Sequence, residues 1–331
     1  MTKLSVIMTI YNANKYIEEL LDSLLIEKSN DIEFLLINDG STDNTLELIN
    51  NYAKNDKRVK VFTKKNGGLS DTRNYGIERA KSPYILFSDS DDLFASNWYK
   101  IIEKTIDNEL KSKNKTDEFV ICSNYDNRKY NIKNIIEGMY YIDSNFTNFY
   151  IRTAWSKLYR KDFLTDNKLL FELDGSEDLL FNTRMISHNA KIKIIKGSVY
   201  RYRIVPGSAS RKLNLTRHDI FRELLIKEKC NVYKDWDFLV EHHDLNAILS
   251  MVWSICTSNE KNKKRMIKEV LNKEYVDSSL NNINNHSFGK KKDFLLKLVK
   301  KKNISLLLIL GYIIKNKNKM QYQKEDKFEE I

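Results

Sequence analysis

Residues that interrupt or cross-link a chain are scarce in this sequence, which has ten Gly, two Pro and three Cys among 331 residues. Together with 41% hydrophobic and 31% charged residues, this excludes a fibrous or disordered chain and indicates a folded protein of about two domains. Cys122, Cys230 and Cys256 are widely spaced and form no Cys-x-x-Cys pair. A disulfide framework and a zinc ribbon are thereby excluded, and a reducing compartment is expected.

Signature motifs of several enzyme classes are also absent. No Gly-x-Gly-x-x-Gly or Gly-Lys-Ser/Thr sequence occurs, which argues against an NAD enzyme and a P-loop NTPase. The five His residues include no pair at metal-ligand spacing, and no Ser-His-Asp or Cys-His order supports nucleophilic hydrolysis. The apolar run at residues 4–8 is too short for a signal-peptide core, so an unexported, cytoplasmic protein is expected.

Most of the positive charge lies in one segment. Residues 289–319 contain ten Lys and one acid, Asp293, and so carry +9 of the net charge of +11. Because the rest of the chain is nearly neutral, a broad cationic face is not expected, and we predict no nucleic-acid partner.

The first 125 residues or so alternate short β-branched runs with helical patterns. Four runs predict strands, at residues 4–10, 33–37, 58–62 and 84–87. Strands separated by helices indicate a mostly parallel, doubly wound α/β sheet, whose ligands bind at the carboxyl ends of the strands. Two more strands are predicted near residues 119–122 and 192–195. The remaining patterns are helical, at 178–189, 216–235, 237–258 and 262–273, with a polar linker at 281–286.

Three polar clusters follow predicted strands at the point where each strand ends: Thr9-Ile10-Tyr11-Asn12, Asn38-Asp39-Gly40-Ser41 and Asp89-Ser90-Asp91-Asp92. Each of them alone is typical of an ordinary turn. Three at one edge of a parallel sheet favour a ligand site instead.

The acidic cluster could bind a metal ion. Asp89 and Asp91 alternate along the chain, point the same way and can share one Mn²⁺ or Mg²⁺ ion. Water and phosphate oxygens would complete the coordination shell of that ion. The structural alternative is capping of the next helix by Asp91 or Asp92, which is compatible with metal binding at Asp89 and Asp91.

Other side chains could contact a nucleotide or a sugar. Asp39 can accept a hydrogen bond from a base or ribose, and the Tyr11 ring can stack on a base. Arg73 can reach a base or phosphate, although alone it is typical of a surface ion pair. Trp155 could line a sugar site, although an aromatic residue at such a position is more often part of a core.

Glu177 and Asp178 stand at the start of a predicted helix. Capping of that helix and service as a general base in a cleft are both compatible with acids at this position, and the residues leave the choice open.

Five motifs in order resemble glycosyltransferase family 2, the inverting transferases with a GT-A fold, over about residues 3–210. They are Ser5-Val6-Ile7-Met8-Thr9-Ile10-Tyr11-Asn12, Asn38-Asp39-Gly40-Ser41-Thr42-Asp43, Asn66-Gly67-Gly68-Leu69-Ser70-Asp71-Thr72-Arg73-Asn74, Asp89-Ser90-Asp91-Asp92 and Glu177-Asp178. The chain also resembles the bacterial cell-surface polysaccharide and teichoic-acid branch. The implied fold class is α/β, a Rossmann-like GT-A domain followed by a C-terminal helical region.

The resemblance implies a nucleotide-sugar donor, usually UDP-linked, and Mn²⁺ or Mg²⁺ as cofactor. Asp91, together with Asp89, matches the metal-binding acids, and Asp178 matches the catalytic base. Glu177 and Trp155 match positions near the donor sugar or the acceptor. Contacts with the nucleotide sugar are expected from Thr9, Tyr11, Asn12, Asp39, Asn66, Arg73, Asp89, Ser90 and Arg203.

The sequence departs from the family pattern at three points. Thr9 stands where Pro is commoner, and Ser88 replaces an apolar residue. No His occurs in Val199-Tyr200-Arg201-Tyr202-Arg203, where some relatives supply a further metal ligand. Metal coordination from that stretch is therefore in doubt, and Arg203 is expected to face the diphosphate instead.

Three regions are predicted: a GT-A catalytic domain at 1–210 (nucleotide-sugar-binding half 1–125, acceptor half 126–210), a helical region at 211–288 and a basic amphipathic tail at 289–331. In the tail, residues 290–302 form a cationic helix pattern with an apolar face at 294, 295, 298 and 299. The apolar stretch 304–314 is too short to span a bilayer. Residues 289–319 are predicted to lie on an anionic membrane surface at the inner face of the cell membrane. The alternative is a helix pair packed on the protein body.

The expected function is that of a metal-dependent inverting glycosyltransferase, a hexosyl- or N-acetylhexosaminyltransferase. It would move a sugar from a nucleotide-sugar donor to a hydroxyl of a cell-surface glycan or lipid-linked acceptor. The alternatives are a catalytically inactive nucleotide- or glycan-binding module and a sugar nucleotidyltransferase. The donor sugar, the acceptor, the linkage and any homo-oligomer are left open.

Overall fold

The computed structural model describes residues 2–111, 119–123, 132–140, 152–173, 175–204, 215–228, 233–282, 290–318 and 327–330. These residues form two compact units. The sheet unit contains the described residues up to Ser123, residues 152–204 and residues 327–330. The helical unit contains residues 132–140 and the described residues from 215 to 318. The predicted boundaries at residues 210 and 288 lie outside the described residues.

The elements follow one another in the order α/β and then α. The first part contains β1 (Leu4–Ile10), α1 (Ile17–Leu25), β2 (Ile32–Asn38), α2 (Thr45–Asn55), β3 (Val59–Thr63), α3 (Leu69–Arg79), β4 (Tyr84–Asp89), β5 (Leu93–Phe94), α4 (Trp98–Lys111) and β6 (Phe119–Ser123). The second contains α5 (Ile132–Met139), β7 (Lys157–Arg160), α6 (Lys161–Asp166), α7 (Glu177–Ser187), β8 (Ile192–Lys196) and β9 (Tyr200–Ile204). The last contains α8 (Leu215–Lys227), α9 (Trp236–Thr257), α10 (Lys263–Leu271), α11 (Glu274–Asn282), α12 (Lys290–Lys300), α13 (Ile304–Asn318) and β10 (Lys327–Glu330).

The main sheet has the strand order β3-β2-β1-β4-β7-β6-β8. Its first four strands are parallel to one another, as expected for strands joined by helices. β7 runs antiparallel to both β4 and β6, and β8 is parallel to β6. The predicted mostly parallel α/β fold with a C-terminal helical region is confirmed, and β7 makes the sheet mixed.

The central strands have continuous apolar sequences because both of their faces are buried. Every residue of β1 and β2 is buried, as is typical of parallel strands covered by helices on both faces. On one face, Gly76 lets α3 lie directly against β1, because a Cβ atom at this position would collide with Ile7. This close approach brings the start of α3 to the carboxyl ends of the strands.

A second sheet, β10-β9-β5, was not predicted from the sequence. β9 pairs antiparallel with β5 on one side and with β10 on the other. Since β5 has only two residues, its hydrophobic pattern is too short to indicate a strand. The sheet matters for the site because β9 carries Tyr200 and Arg203.

The helical unit buries its own core between α9, α10, α11, α12 and α13. Within the described residues, no helix is both long and apolar enough to cross a bilayer. The predicted helix 216–235 is wrong at its end, since α8 stops at Lys227 and the Trp236 indole donates back to the Leu225 carbonyl oxygen at 3.1 Å. The linker predicted at 281–286 is wrong at its start, because α11 continues to Asn282, and its remaining positions lie outside the described residues.

Candidate active site

The carboxyl ends of β1, β2 and β4 lie side by side at one edge of the sheet. Thr9 pairs with Asp89 of β4, and Ile10 pairs with Asn38 of β2. The Asp39 N–H donates to the Ile10 carbonyl oxygen at 2.8 Å. The structure therefore brings together the three polar clusters that follow these strands in the sequence.

Arg73 of α3 lies buried at this edge and joins three carboxylates. Its guanidinium, 1% exposed, donates to Glu177 Oε1 at 2.9 Å, to Asp89 Oδ1 at 3.1 Å and to Asp178 Oδ1. The Phe171 ring centroid lies 5.0 Å from the guanidinium carbon. Arg73 is therefore not the surface ion-pair residue that its sequence position alone would suggest. The structure places it against acids, where a planar group with five N–H donors can serve several carboxylates.

Asp178 stands in the first turn of α7, held on both carboxylate oxygens. Arg73 donates to one oxygen, and the Ala154 N–H donates to the other at 2.8 Å. Burial raises the pKa of Asp178 to about 7, and the Arg73 charge opposes that rise. The neighbouring Glu177 accepts from the Gly175 N–H at 2.8 Å as well as from Arg73. Asp178 is therefore a partly buried carboxyl group that can exchange a proton near neutral pH.

Two further acids follow β4 in the chain. Burial, with the charge of Asp89, raises the pKa of Asp91 to about 6 and that of Asp92 to about 8. Burial also raises the pKa of Asp89 itself. Asp92 accepts the Arg203 N–H at 2.7 Å, whereas the Asp91 carboxylate has no ion pair within the described part of the chain. We call Asp89, Asp91, Asp92, Glu177 and Asp178 the acidic edge.

The acidic edge could hold a divalent cation. The described residues contain no group of three or more His, Cys, Asp or Glu side chains arranged to bind a metal by themselves. Asp89 and Asp91 nevertheless supply hard oxygen donors where negative charge is in excess. They fit an ion such as Mg²⁺, which is commonly held by one or two carboxylates plus water and substrate phosphate.

Asp39 at the end of β2 is held on both carboxylate oxygens by donors from the chain itself. Its Oδ1 accepts from Lys64 Nζ at 2.5 Å and from the Gly67 N–H at 2.9 Å, and its Oδ2 accepts from the Gly68 N–H at 2.9 Å. Asn66 donates to the Asp39 carbonyl oxygen at 3.0 Å. Gly68 has φ +89°, which a residue with a side chain rarely adopts. We call Asp39, Lys64 and residues 66–68 the Asp39 corner.

Four other predicted contact residues line the same edge. Thr9 is buried at the end of β1, and Ser90 is half-buried in the turn after β4. The Tyr11 ring is 50% exposed and so is accessible to a ligand. Asn12 has φ +48°, and its side-chain oxygen accepts the Thr42 N–H at 2.8 Å. Asn12 therefore joins the turns after β1 and β2.

The structure places Arg203 and Trp155 differently from expectation. Arg203 was expected to face a diphosphate, but its guanidinium bonds to the Asp91 carbonyl oxygen at 2.8 Å and to Glu19, and lies over the Tyr16 ring. Trp155 is buried in the core, where its ring stacks on Tyr200 with the centroids 4.8 Å apart. Long-range packing, which local sequence does not encode, decides both positions.

Sequence reasoning missed Lys64 and Tyr200 as members of this region. Lys64 bridges Asp39 and Asp71, and Tyr200 Oη accepts the Asp89 N–H at 3.0 Å. A usable signal existed for Lys64, because it stands two residues before the Asn66-Gly67-Gly68 break. No local signal points to Tyr200, which reaches the site through β9.

Comparisons with known proteins find glycosyltransferases. Residues 5–166 match the model of "Glycosyl transferase family 2". The chain is 29% identical over 299 residues to the "Uncharacterized glycosyltransferase EpsJ" of Bacillus subtilis (strain 168), covering 82% of this chain and 84% of EpsJ.

Two solved structures have a similar fold. TarS 1-349 of S. aureus, solved with UDP-GlcNAc, superposes with a TM-score of 0.62 at 20% identity, covering 97% of this chain and 93% of the TarS 1-349 chain. The mannosyltransferase PcManGT of Pyrobaculum calidifontis, solved with GDP-Man and Mn²⁺, has a TM-score of 0.51 at 13% identity, covering 95% of this chain and 86% of PcManGT.

Proposed function

We propose that this chain, whose residues 5–166 match glycosyltransferase family 2, is a metal-dependent inverting glycosyltransferase. It transfers a hexosyl or N-acetylhexosaminyl group from a UDP-linked donor to a hydroxyl of a cell-surface glycan or lipid-linked acceptor. One observation carries this proposal: Arg73 joins Asp178, a carboxyl group with a pKa of about 7, to Asp89 at the ligand-binding edge of the sheet.

The Asp39 corner and its neighbours are proposed to hold the nucleotide. Tyr11 offers an exposed ring for stacking on uracil. Asp39, held by two backbone N–H groups, presents fixed acceptor atoms next to Asn66. Thr9, Asn12 and Ser90 complete this side of the site. The UDP-GlcNAc bound to TarS supports a uridine nucleotide.

Asp178 is proposed to act as the general base. The acceptor oxygen attacks the anomeric carbon, the bond from that carbon to the diphosphate oxygen breaks, and the hydroxyl proton passes to Asp178. Each Asp178 oxygen accepts one hydrogen bond from the protein and keeps a second lone pair for this proton. A single displacement inverts the configuration. Glu177 orients Arg73, and Trp155 supports the acceptor side from the core.

Asp89 and Asp91 would hold the cation. Bound Mn²⁺ or Mg²⁺ neutralises the charge that develops on the leaving diphosphate. The excess negative charge at the acidic edge and the Mn²⁺ bound to PcManGT support this assignment. Asp92 accepts a hydrogen bond from the backbone N–H of Arg203. The Arg203 guanidinium in turn donates to the Asp91 carbonyl oxygen and so fixes the Asp91 backbone.

A donor screen tests the proposed function. The chain is mixed with UDP-glucose, UDP-galactose, UDP-GlcNAc or GDP-mannose, with and without Mn²⁺, and thermal unfolding and release of nucleoside diphosphate are measured. We expect one UDP-sugar to raise the melting temperature only with Mn²⁺, because ligand binding stabilises the folded state, and to release UDP. Binding of that donor without turnover would indicate an inactive module, and pyrophosphate release from UTP and a sugar 1-phosphate would indicate a nucleotidyltransferase.

We also propose that the helical unit contacts the anionic inner face of the cell membrane through α13. Of the predicted apolar face of α12, Leu295, Leu298 and Val299 are buried in the helical core, whereas Phe294 is exposed. α13 packs inward through Leu307 and through Gly311, where a Cβ atom would collide with Cys256. Its outer face leaves apolar side chains exposed: Leu306, Ile309, Tyr312 and Ile313.

Charge around this outer face favours anionic lipid as the partner. Lys297, Lys300, Lys301 and Lys302 are exposed at the end of α12 and in the turn that follows it. An exposed apolar stripe preceded in the chain by exposed Lys residues suits a bilayer surface, where each Lys contributes about 1 kcal/mol near anionic headgroups.

Sedimentation with liposomes tests the membrane contact. The chain should sediment with vesicles containing phosphatidylglycerol at low salt, and Ile309→Ser with Ile313→Ser should abolish this. Ile226→Ser, an exposed Ile of α8, is the matched control and should sediment normally. Loss of a dimer in the double variant, with liposome binding unchanged, would instead assign the face to a second copy.

A further inference from the structure

The residues before β7 form a buried loop that touches the proposed base. Thr153, Ala154, Trp155 and Ser156 are all buried, and Ser156 has φ +57°, in the left-handed region. The Ala154 N–H points at Asp178 and donates to its Oδ2 at 2.8 Å. This loop supplies the second of the two hydrogen bonds that fix the Asp178 carboxylate.

Asn182 ties this loop to the helix that carries Asp178. It lies four residues after Asp178 in α7 and therefore on the same face of the helix. Its Nδ2 donates to the Thr153 carbonyl oxygen at 2.9 Å and to the Arg152 carbonyl oxygen at 3.2 Å. One helix thus presents the base and also holds the chain that donates to it.

Two more buried polar groups from β7 hold the same loop. Tyr159 Oη lies 2.9 Å from Asn182 Oδ1 and 3.2 Å from the Ala154 carbonyl oxygen. Lys157 Nζ donates to the Trp155 carbonyl oxygen at 3.2 Å and to Thr153 Oγ1 at 3.3 Å. Both side chains are fully buried, and burial of a Lys is costly unless its N–H groups find acceptors. Apolar residues could fill this space at lower cost, so the polar contacts indicate a need for one loop geometry.

We propose that Asn182, Tyr159 and Lys157 are positioning residues for the transfer reaction, because they fix the Ala154 N–H on the catalytic carboxylate. This inference rests on the proposed function of Asp178 as the base. The loop orients one carboxylate oxygen while Arg73 orients the other, so that the remaining lone pairs face the acceptor. A hydrogen bond from an N–H group also favours the ionised carboxylate.

We call Asn182, Tyr159 and Lys157, with the loop they hold, the clamp. Loss of the clamp should shift the pH dependence of the reaction in one direction. The charged and titratable groups facing Asp178 are Arg73 of α3, Glu177 beside it on α7, Asp89 of β4 and Tyr159 of β7. Arg73 and the Ala154 N–H favour the ionised form, whereas the two acids disfavour it. A variant that frees Ala154 therefore needs a higher pH to ionise the base.

The test compares Asn182→Leu and Tyr159→Phe with the unchanged chain. The pH profile of kcat is measured with the UDP-sugar from the donor screen, and UDP affinity with Mn²⁺ is measured by calorimetry. We expect Asn182→Leu to lower kcat about tenfold and to move the acid limb to higher pH, with UDP affinity unchanged. Tyr159→Phe keeps the ring and should show the same shift with a smaller loss.

Controls separate this inference from simple destabilisation. Thr183→Val removes a buried hydroxyl of α7 that donates to the Leu179 carbonyl oxygen, and it should leave the pH profile unchanged. If Asn182→Leu does not fold, Tyr159→Phe decides the question. Folded variants with normal kcat and a normal acid limb overturn the clamp. Should Asp178→Asn also retain turnover, the proposed base is overturned as well, whereas an inactive Asp178→Asn beside a normal Asn182→Leu rejects the clamp alone.

Discussion

The Asp39 corner and the acidic edge lie at the same end of one sheet but differ in how their negative charge is compensated. One carboxylate at the Asp39 corner is matched by Lys64 and by the N–H groups of Gly67 and Gly68. At the acidic edge, the buried Arg73 pairs with three of the five carboxyl groups, Asp89, Glu177 and Asp178, and the Arg203 guanidinium is directed to Glu19. The pKa values of Asp91, Asp92 and Asp178 are raised there, to about 6, 8 and 7.

This difference separates two kinds of ligand recognition. The Asp39 corner is held in place before a ligand arrives, and in the proposed function it offers a fixed acceptor to a base or a hydroxyl group. The acidic edge holds more negative charge than its cations neutralise, so it favours a divalent ion and keeps protons near neutral pH. Changes at the two sites should therefore have different consequences.

The largest effect is expected at the base. Asp178→Asn keeps the shape of the side chain but removes the proton acceptor, so turnover should fall by ~10²-fold or more. UDP affinity measured by calorimetry with Mn²⁺ should stay within about twofold, since the nucleotide is held elsewhere. Near-normal turnover would remove Asp178 from this role.

Asp91→Asn should weaken UDP binding when Mn²⁺ is present. The change removes one of two carboxylates at the cation site, so UDP affinity with Mn²⁺ should fall ~10-fold or more. Mutation of a residue that only hydrogen-bonds to a metal ligand already lowers metal affinity by about this factor. Calorimetry with and without Mn²⁺ checks this. Asp56→Asn, near the amino end of β3, serves as the control and should leave the Mn²⁺ dependence intact. Equal affinity in both conditions for the unchanged chain contradicts the metal assignment.

A smaller and different effect is expected at the Asp39 corner. Asp39→Asn directs an amide at a backbone N–H, which should lower the free energy of unfolding by about 1–3 kcal/mol and weaken UDP binding with and without Mn²⁺ alike. Asp71→Asn is the matched control, since Asp71 pairs with the same Lys64 but is 58% exposed on its side chain. Denaturant unfolding and calorimetry distinguish the two variants. If Asp39→Asn weakened UDP only when Mn²⁺ was present, the two sites would be one.

The last effect is expected from a change of pH alone, without mutation. Because the pKa of Asp178 is about 7 and the base acts in its ionised form, kcat/KM should rise with pH up to about 7 and level off above it. Between pH 6.5 and pH 5.5 the rate should fall roughly tenfold, following the ionised fraction. A profile that is flat from pH 5 to pH 8 would show that the base ionises at its ordinary pKa.

Much of the fold could be predicted because the local pattern agrees with the tertiary structure. The runs at 4–10, 33–37, 58–62 and 84–87 correspond to β1, β2, β3 and β4, since strands buried on both faces need continuous apolar sequence. The turn residues Asp39 and Asp89 were predicted at the site for a related reason, because parallel strands place their carboxyl ends together.

Other features had no local signal. β5 and β9 pair across more than a hundred residues, so neither their lengths nor their periodicity indicates the second sheet. Which side chains of the 289–319 segment are exposed also had no local signal, because an amphipathic pattern tells which residues share a face but not what covers that face.

The sequence by itself determined which chemical groups stand at the ends of which strands. A helix that connects two parallel strands almost always makes a right-handed crossover, so the alternation of strands and helices leaves few possible arrangements. Only the tertiary structure decided how those groups are paired. Arg73 meets Glu177 and Asp178 across 104 and 105 residues, and Ala154 meets Asp178 across 24. Such contacts depend on how helices and loops pack against the sheet, which a period of two or 3.6 residues does not encode.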